Sequence, residues 1–326
     1  MTNEVAAITT QQSHSVGIDA APDASPVWLI TGCSSGLGRA LAEHALARGD
    51  RVAVTARDVA SVADLAARYG QRALALRLDV TDSASVAGAV AACHEAFGRI
   101  DILVNNAGYG YLAAIEEGEE AAVRDLFDTN VHGAVTVLKA VLPGMRARRS
   151  GRIVNISSFG GLAAFAATGY YHATKFALEG LSESLAAEVA PLGIAVTIAE
   201  PGGLRTQWAG ASMRQSPIRL PDYEQTAGSR RASTLAVSGH QPGDPPRAAA
   251  AIAAAVDAEA PPLRLLLGSD ALAGARARLD RTREEIDAHE KLTISVDLKR
   301  APIPGIGRIV AAHHDLSSRS GVRESP

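Results

Sequence analysis

The chain has 326 residues, 47% of them hydrophobic, and a formal net charge of -3 at pH 7. That is enough apolar residue for one large buried core, whereas the weak acidic balance and 4% aromatic content argue against nucleic acid as a partner. The two cysteines, Cys33 and Cys93, are too few for a disulfide framework or a zinc site and read as small buried residues in a reducing compartment.

Residues 1–25 are small and polar with no hydrophobic period, which predicts a disordered leader. No lysine or arginine precedes Arg39, so the start lacks the charge pattern of a signal or transit peptide. No apolar run reaches the roughly 18 residues a membrane span needs. The expectation is a cytoplasmic protein with neither a membrane nor a nucleic-acid partner. From Val27 onward, short apolar runs alternate with helical ones. Strands are predicted at 27–31, 51–56, 74–78, 100–105, 152–157 and 194–199. Between them the pattern predicts helices at 38–48, 59–69 with Asp58 as cap, 83–97 and 169–189. A longer helical stretch at 119–148 should break near Pro143. This alternation, with strands rich in Val, Ile and Leu, implies an α/β fold built on a doubly wound parallel sheet.

After Pro201 the pattern loosens. Residues 203–246 are rich in Ser, Gly and Pro and read as a lid over a ligand site, with Trp208, Met213 and Tyr223 lining its inner side. A helix at 247–258, a strand at 263–267 and a helix at 271–289 follow, which places one domain over 26–291 and an irregular tail over 292–326. His313 and His314 in that tail have no partners at metal spacing, so no metal site is expected. Arg146, Arg148 and Arg149 read as a solvated helix end suited to the helix dipole.

The chemistry concentrates in Tyr171-His-Ala-Thr-Lys175, whose first and last side chains share one helix face. An ammonium beside a phenol lowers the phenol pKa and suits it to general acid–base work. Ser158, thirteen positions upstream at a strand end, can converge with them on one oxygen. Only four of the 32 basic residues are lysines, so a lysine at 175 points to a need for a compact ammonium. Between the first strand and first helix, Thr31-Gly-Cys-Ser-Ser-Gly-Leu-Gly38 supplies the tight turn that lets a pyrophosphate rest on a helix N-terminus.

Together with Asp79, Asn105-Asn-Ala-Gly108, Asn130 and Pro201-Gly202, these residues resemble the short-chain dehydrogenase/reductases, strongly from about 27 to 203. The resemblance implies a Rossmann-type single domain, a nicotinamide dinucleotide and hydride transfer at a carbon bearing oxygen. It implies Tyr171 as proton donor or acceptor, Ser158 as the group orienting the substrate oxygen, Lys175 as ribose ligand and modulator of Tyr171, and Asn130 as holder of a proton-feeding water. Tyr170 and Ser157 fall outside the motif spacing. Cofactor contacts are implied for Gly32, Ser34, Ser35, Gly36, Leu37 and Gly38, for Arg57, Asp79 and Val80, and for Asn106, Ala107 and Gly108. They are also implied for Tyr171, Lys175, Pro201, Gly202 and Thr206.

With Thr55, Ala56 and Arg57 ending the second strand and Asp58 used as a cap, no carboxylate is left for a ribose 2′-hydroxyl, which favours NADP over NAD. Ser158, Tyr171, Phe159 and Trp208 are the expected substrate contacts. Leu162, Phe165, Tyr109 and Tyr111 are expected nearby, and Arg205 is the one anion clamp in prospect. The function so read is reduction of an apolar ketone or aldehyde, or the reverse, by a homodimer or homotetramer. The rival readings are an NAD-dependent secondary-alcohol dehydrogenase of the steroid or retinoid kind, a nucleotide-binding scaffold or sensor without turnover, and an epimerase or dehydratase.

Overall fold

The computed structural model describes residues 25–298 other than Ala211. The expected leader, Ser25 apart, and the segment beyond Leu298 with His313 and His314 lie outside the described residues. In chain order the elements begin with β1 (Val27–Ile30), α1 (Gly36–Ala47), β2 (Arg51–Ala56), α2 (Ala63–Tyr69), β3 (Ala73–Arg77) and α3 (Ser83–Phe97). Next come β4 (Ile102–Asn105), β5 (Gly110–Leu112), α4 (Glu120–Phe127), α5 (Gly133–Arg148), β6 (Gly151–Ile156) and α6 (Gly169–Val189). The run closes with β7 (Ile194–Pro201), β8 (Met213–Gln215), α7 (Ser229–Ala236), α8 (Pro245–Asp257), β9 (Arg264–Leu267), α9 (Ser269–Ala288) and α10 (Glu290–Ile294).

Seven strands form one parallel sheet in the order β3-β2-β1-β4-β6-β7-β9. Side chains alternate along a strand, so Trp28 and Ile30 of β1 pack with α1 and α8 on one face, while Val27 and Leu29 pack with α3 and α5 on the other. Both faces are covered, which is why β1 is apolar throughout. Strand order reverses between β1 and β4, and in such sheets a ligand crevice opens there, at the carboxyl ends. The chain forms two compact units, Met1–Ala275 and Arg276–Pro326. The first holds the sheet and all of the site; the described part of the second is the remainder of α9 together with α10.

Local chemistry sets the element ends. The Asp82 carboxylate accepts from the Ala84 and Ser85 amides to start α3, and Gly98, at φ +77°, ends it. Asp58 caps as expected, accepting from the Ala60 amide at 3.1 Å. The stretch at 119–148 is interrupted at a different place from that expected. Pro143 sits within α5, and the break is a π turn at Asp128–His132. The extra residue in that turn brings Asn130 inside, where its amide oxygen accepts from Tyr109 N (3.1 Å) and its nitrogen donates to Tyr109 O (3.0 Å) and Thr174 Oγ1 (3.1 Å).

The segment after Pro201 is more ordered than its composition suggests. β8 pairs in parallel with β5, and Met213 and Ala227 are buried with Leu112, Ala114 and Ala167. The segment is also clamped by Glu117, a fully buried carboxylate. Glu117 accepts from Ala114 N (3.0 Å), Leu220 N (2.9 Å) and the Arg231 guanidinium (2.5 Å).

Candidate active site

A cleft of about 1140 Å³ follows the carboxyl ends of β1, β2, β3, β4, β6 and β7. Its floor is the loop from β1 into α1. Gly36 turns there at φ +62°, and Ser34, Ser35, Gly36 and Leu37 line the cleft at the start of α1, whose free amides suit a phosphate. Asn106 holds this loop from behind, its Nδ2 donating to Thr31 O (2.8 Å) and Gly32 O (3.0 Å). Gly38, expected as a cofactor contact, does not line the cleft. A Cβ there would lie 2.2 Å from Asn106 Nδ2, so this glycine permits the approach of the supporting loop instead.

Along the same wall lie Gly32, Arg57, Asp79, Val80, Asn106, Ala107, Gly108, Pro201, Gly202 and Thr206, all at the cleft surface. Burial pushes the Asp79 carboxyl up, but bonds from the Thr81 hydroxyl (2.7 Å) and amide (3.0 Å), with Arg57 and Arg77 nearby, more than offset this and hold it below the usual range. Arg57 is exposed at the rim. The loop without side-chain bulk, the helix N-terminus and the cation beside it fit a dinucleotide. Among the described residues no cluster of three or more His, Cys, Asp or Glu side chains could hold a metal ion, and no helix is long and apolar enough to cross a membrane.

At the far end α6 presents Tyr171 and Lys175 to the cleft, and Ser158 leaves β6 to meet them. Burial pushes the Tyr171 phenol up to about 12, and a hydrogen bond with Ser158 works against that rise. Lys175 lies 5.7 Å from the Tyr171 ring centre and donates to Ile156 O at 2.7 Å. Burial pulls the lysine down to about 8, with Glu179 opposing. The expected depression of Tyr171 by Lys175 is therefore not what this geometry gives: burial dominates and the ammonium is turned to a backbone carbonyl. Asn130 is likewise off the cleft surface, both sides of its amide engaged by Tyr109 and Thr174. Tyr170 points elsewhere, donating to Ile115 O at 2.6 Å.

Aromatic walls face Tyr171. The Trp208 ring centre lies 5.0 Å from it, and Phe159 and Phe165 meet at a tilt with centres 5.7 Å apart, while Tyr109 lines the cleft further along. Tyr111 and Leu162 are not at its surface, Tyr111 being buried with Ala113 and Leu126. Met213 and Tyr223 do not line the cleft; they belong to the apolar cluster around Leu112, Ala114, Ala167 and Ala227. Arg205 faces away and donates to Gln241 O. Residues with no expected role also meet the cleft. His172 accepts from Phe165 N (3.1 Å) and is pulled down to about 4 by burial and by Arg230, and Asp270 accepts from Gly203 N (2.7 Å). His172 follows Tyr171 directly, but its ring faces this loop only because of packing that the sequence does not spell out.

Behind the site, Asn105 Nδ2 donates to Asn155 Oδ1 (2.9 Å) and Asn155 Nδ2 to Ser182 Oγ (2.8 Å), tying β4, β6 and α6 together. Next to them Glu179 and Glu200, both buried, bind one guanidinium nitrogen of Arg264, and Glu183 binds the other. Burial, then Glu179, raises the Glu200 carboxyl to about 7. An unfolded glutamate titrates near 4.3, so the native state keeps a proton that the unfolded chain releases, and stability falls as pH rises from about 4.3 to 7. Glu200→Gln is expected to flatten that slope and to melt no lower than wild type at pH 8; a melting temperature that drops there while the slope persists would refute the assignment.

A doubly wound parallel sheet with a glycine loop at its switch point, and a Ser, Tyr and Lys group across the cleft from it, defines a dinucleotide-binding oxidoreductase. Residues 26–216 match the family model described as short chain dehydrogenase. The oxidoreductase BOA17 of Botryotinia fuckeliana is 42% identical over 76% of this chain and 90% of its own. A short-chain dehydrogenase structure from Streptomyces avermitilis is 47% identical, with a TM-score of 0.80 over 84% of this chain and 99% of that one. An alcohol dehydrogenase from Thermococcus sibiricus, complexed with 5-hydroxy-NADP, is 25% identical, with a TM-score of 0.62 over 74% and 96% of the two chains. The chain belongs to the short-chain dehydrogenase/reductase family, and its cofactor is a nicotinamide dinucleotide.

Proposed function

We propose that the protein is an NADP(H)-dependent reductase of ketones or aldehydes with an apolar or aromatic body, Tyr171 transferring the proton. The observation that carries this reading is the buried Tyr171 phenol, bonded to Ser158 and facing Trp208 at the inner end of the cleft. A phenol held near 12 stays protonated throughout the physiological range, which suits it to give a proton to a reduced carbonyl. Ser158 holds the substrate oxygen within reach, and its own geometry is fixed by the Gly160 amide, which donates to Ser158 Oγ at 3.0 Å. A bound nicotinamide supplies or takes the hydride. Lys175 and the amides of Ser35 to Leu37 hold the cofactor, and Asn130 keeps the Tyr109 loop seated. A panel of ketones, aldehydes and alcohols followed by nicotinamide absorbance tests the reading, and no cofactor turnover with any of them would overturn it.

The preference for NADP rests on Arg57, exposed at the rim beside a strand end with no carboxylate free for a ribose hydroxyl. Arg57→Ala is expected to raise KM for NADPH far more than for NADH, since a charge-assisted bond to a phosphate contributes about 1.5–3 kcal/mol. Equal effects on the two would show that the 2′-phosphate is read elsewhere or that NAD is the natural cofactor, as in the alcohol-dehydrogenase reading. Assembly through α5 and α6 is supported by Phe176 and Leu181, which α6 leaves exposed. Closure of the lid, in turn, rests on the part of 203–246 that lines the cleft without the Glu117 clamp.

A further inference from the structure

The cleft carries a charge that the reduction of a plain apolar ketone does not use. One side of α7 and its C-cap faces it through Arg230, Ser233, Thr234 and Val237, the i, i+3, i+4, i+7 pattern of about two helical turns. The Arg230 guanidinium lies 4.8 Å over the Phe165 ring. Phe165 in turn sits 5.5 Å from His172, and His172 lies 5.8 Å from Tyr171, so the cation stands along the aromatic wall from the phenol, not beside it.

Arg230 forms no ion pair among the described residues, although its neighbour Arg231 is paired with Glu117. The other cations of the cleft are spoken for. Arg214 stacks 4.4 Å over Tyr109 and pairs with Asp125 at 3.7 Å, Lys175 donates to Ile156 O, and Arg57, at the end of β2, is the residue to which the proposed function gives the cofactor phosphate. His172 is neutral at physiological pH, so Arg230 is the positive charge of this wall. Of the carboxylates that line the cleft, Asp79 and Asp270 are engaged by Thr81 and Gly203, and Asp125 and Asp128 belong to the Tyr109 side.

We infer that Arg230 is a specificity-determining residue that binds an anionic group, a carboxylate in the first instance, carried by the substrate at a distance from its reacting carbonyl. The inference rests on the reductase reading of the same cleft. A guanidinium offers paired donors to a carboxylate, while the Ser233 and Thr234 hydroxyls on the same helix side donate to Arg230 O (2.9 and 2.8 Å) and leave the guanidinium as the donor. Phe159 and Phe165 then receive the apolar body between the two polar ends.

The test compares 3-(4-acetylphenyl)propanoate with its methyl ester, each with NADPH, in wild type, Arg230→Gln, Arg230→Lys and, as a control on general electrostatics, Arg247→Gln, whose side chain is exposed outside the cleft. Calorimetric binding of both compounds to the NADPH complex accompanies the kinetics. Wild type is expected to favour the acid over the ester by about tenfold or more in kcat/KM and in Kd. Arg230→Gln should bring both ratios close to one, Arg230→Lys should keep part of the preference, and Arg247→Gln should leave it in place. Arg230-dependent binding of the acid without turnover would sink the reductase reading and keep the anion site. No acid preference in wild type by either measure, or a preference that survives Arg230→Gln, overturns the anion site, whether or not the ketones are reduced.

Discussion

Replacing Tyr171 with phenylalanine is expected to lower kcat for ketone reduction by about 10²–10⁴-fold while leaving NADPH binding within about threefold of wild type, the usual contribution of a positioned general acid being of that size. The phenyl ring still fills the space against Trp208 and His172, so the loss is chemical and not structural. Tyr170→Phe removes only a bond to Ile115 O and should change kcat little. The pH profile gives a second reading. The Tyr171 phenol, held near 12, stays protonated up to strongly alkaline pH, whereas Lys175, pulled down to about 8, loses its charge as pH rises through that value. An alkaline fall in the reductive rate near 8 is therefore assigned to Lys175, and Lys175→Arg should move it upward by removing the titration. A Tyr171→Phe variant that kept a tenth of wild-type kcat would remove the phenol from the reaction.

Much of this was readable from sequence where the chemistry is local. The bounds of β2, α3 and α6 follow directly from apolar periodicity and from residues such as Asp82 and Gly98, whose effects reach only a turn away. Tyr171, Lys175 and Ser158 were legible because spacing on one helix and one strand end fixes their relative placement. The π turn at Asp128–His132 was not, because its cause is the embrace of Asn130 by Tyr109 and Thr174, 21 and 44 positions away. Pro143 looked like a break, but buried Val137, Leu138, Val141 and Met145 hold α5 together around it. The burial that sets the Tyr171 and Lys175 pKa values is likewise tertiary; the helix spacing alone suggested the opposite sign for the phenol. After Pro201, a segment rich in Ser and Gly gave no sign of β8 or α7, since the partner of β8 is β5 and the anchor of α7 is Glu117, each about a hundred positions upstream.

That anchor supports the second large effect. Glu117→Gln is expected to destabilise the protein by about 3–5 kcal/mol, the cost of leaving one member of a buried ion pair alone. Two carboxylate oxygens here accept three bonds, from Ala114 N, Leu220 N and Arg231. A glutamine has one acceptor oxygen, so whichever way it turns, its NH₂ confronts a donor. Arg231, which has a second buried nitrogen already without a partner, is then left as an unpaired charge. Arg231→Met should cost less, because Glu117 keeps both backbone amides, whereas in the reverse case the guanidinium loses its one side-chain acceptor among the described residues. The consequence for activity follows from position. Arg231 sits beside Arg230 on α7, whose other side lines the cleft through Ser233 and Thr234, so Glu117→Gln should raise KM for the ketone more than it weakens NADPH binding. Thermal melts, urea unfolding and the two binding constants measure all of this together. A Glu117→Gln protein that melts within a degree of wild type, or one that unfolds no more readily than Arg231→Met, would show that the segment after Pro201 is held by the β5–β8 pairing and its apolar packing instead.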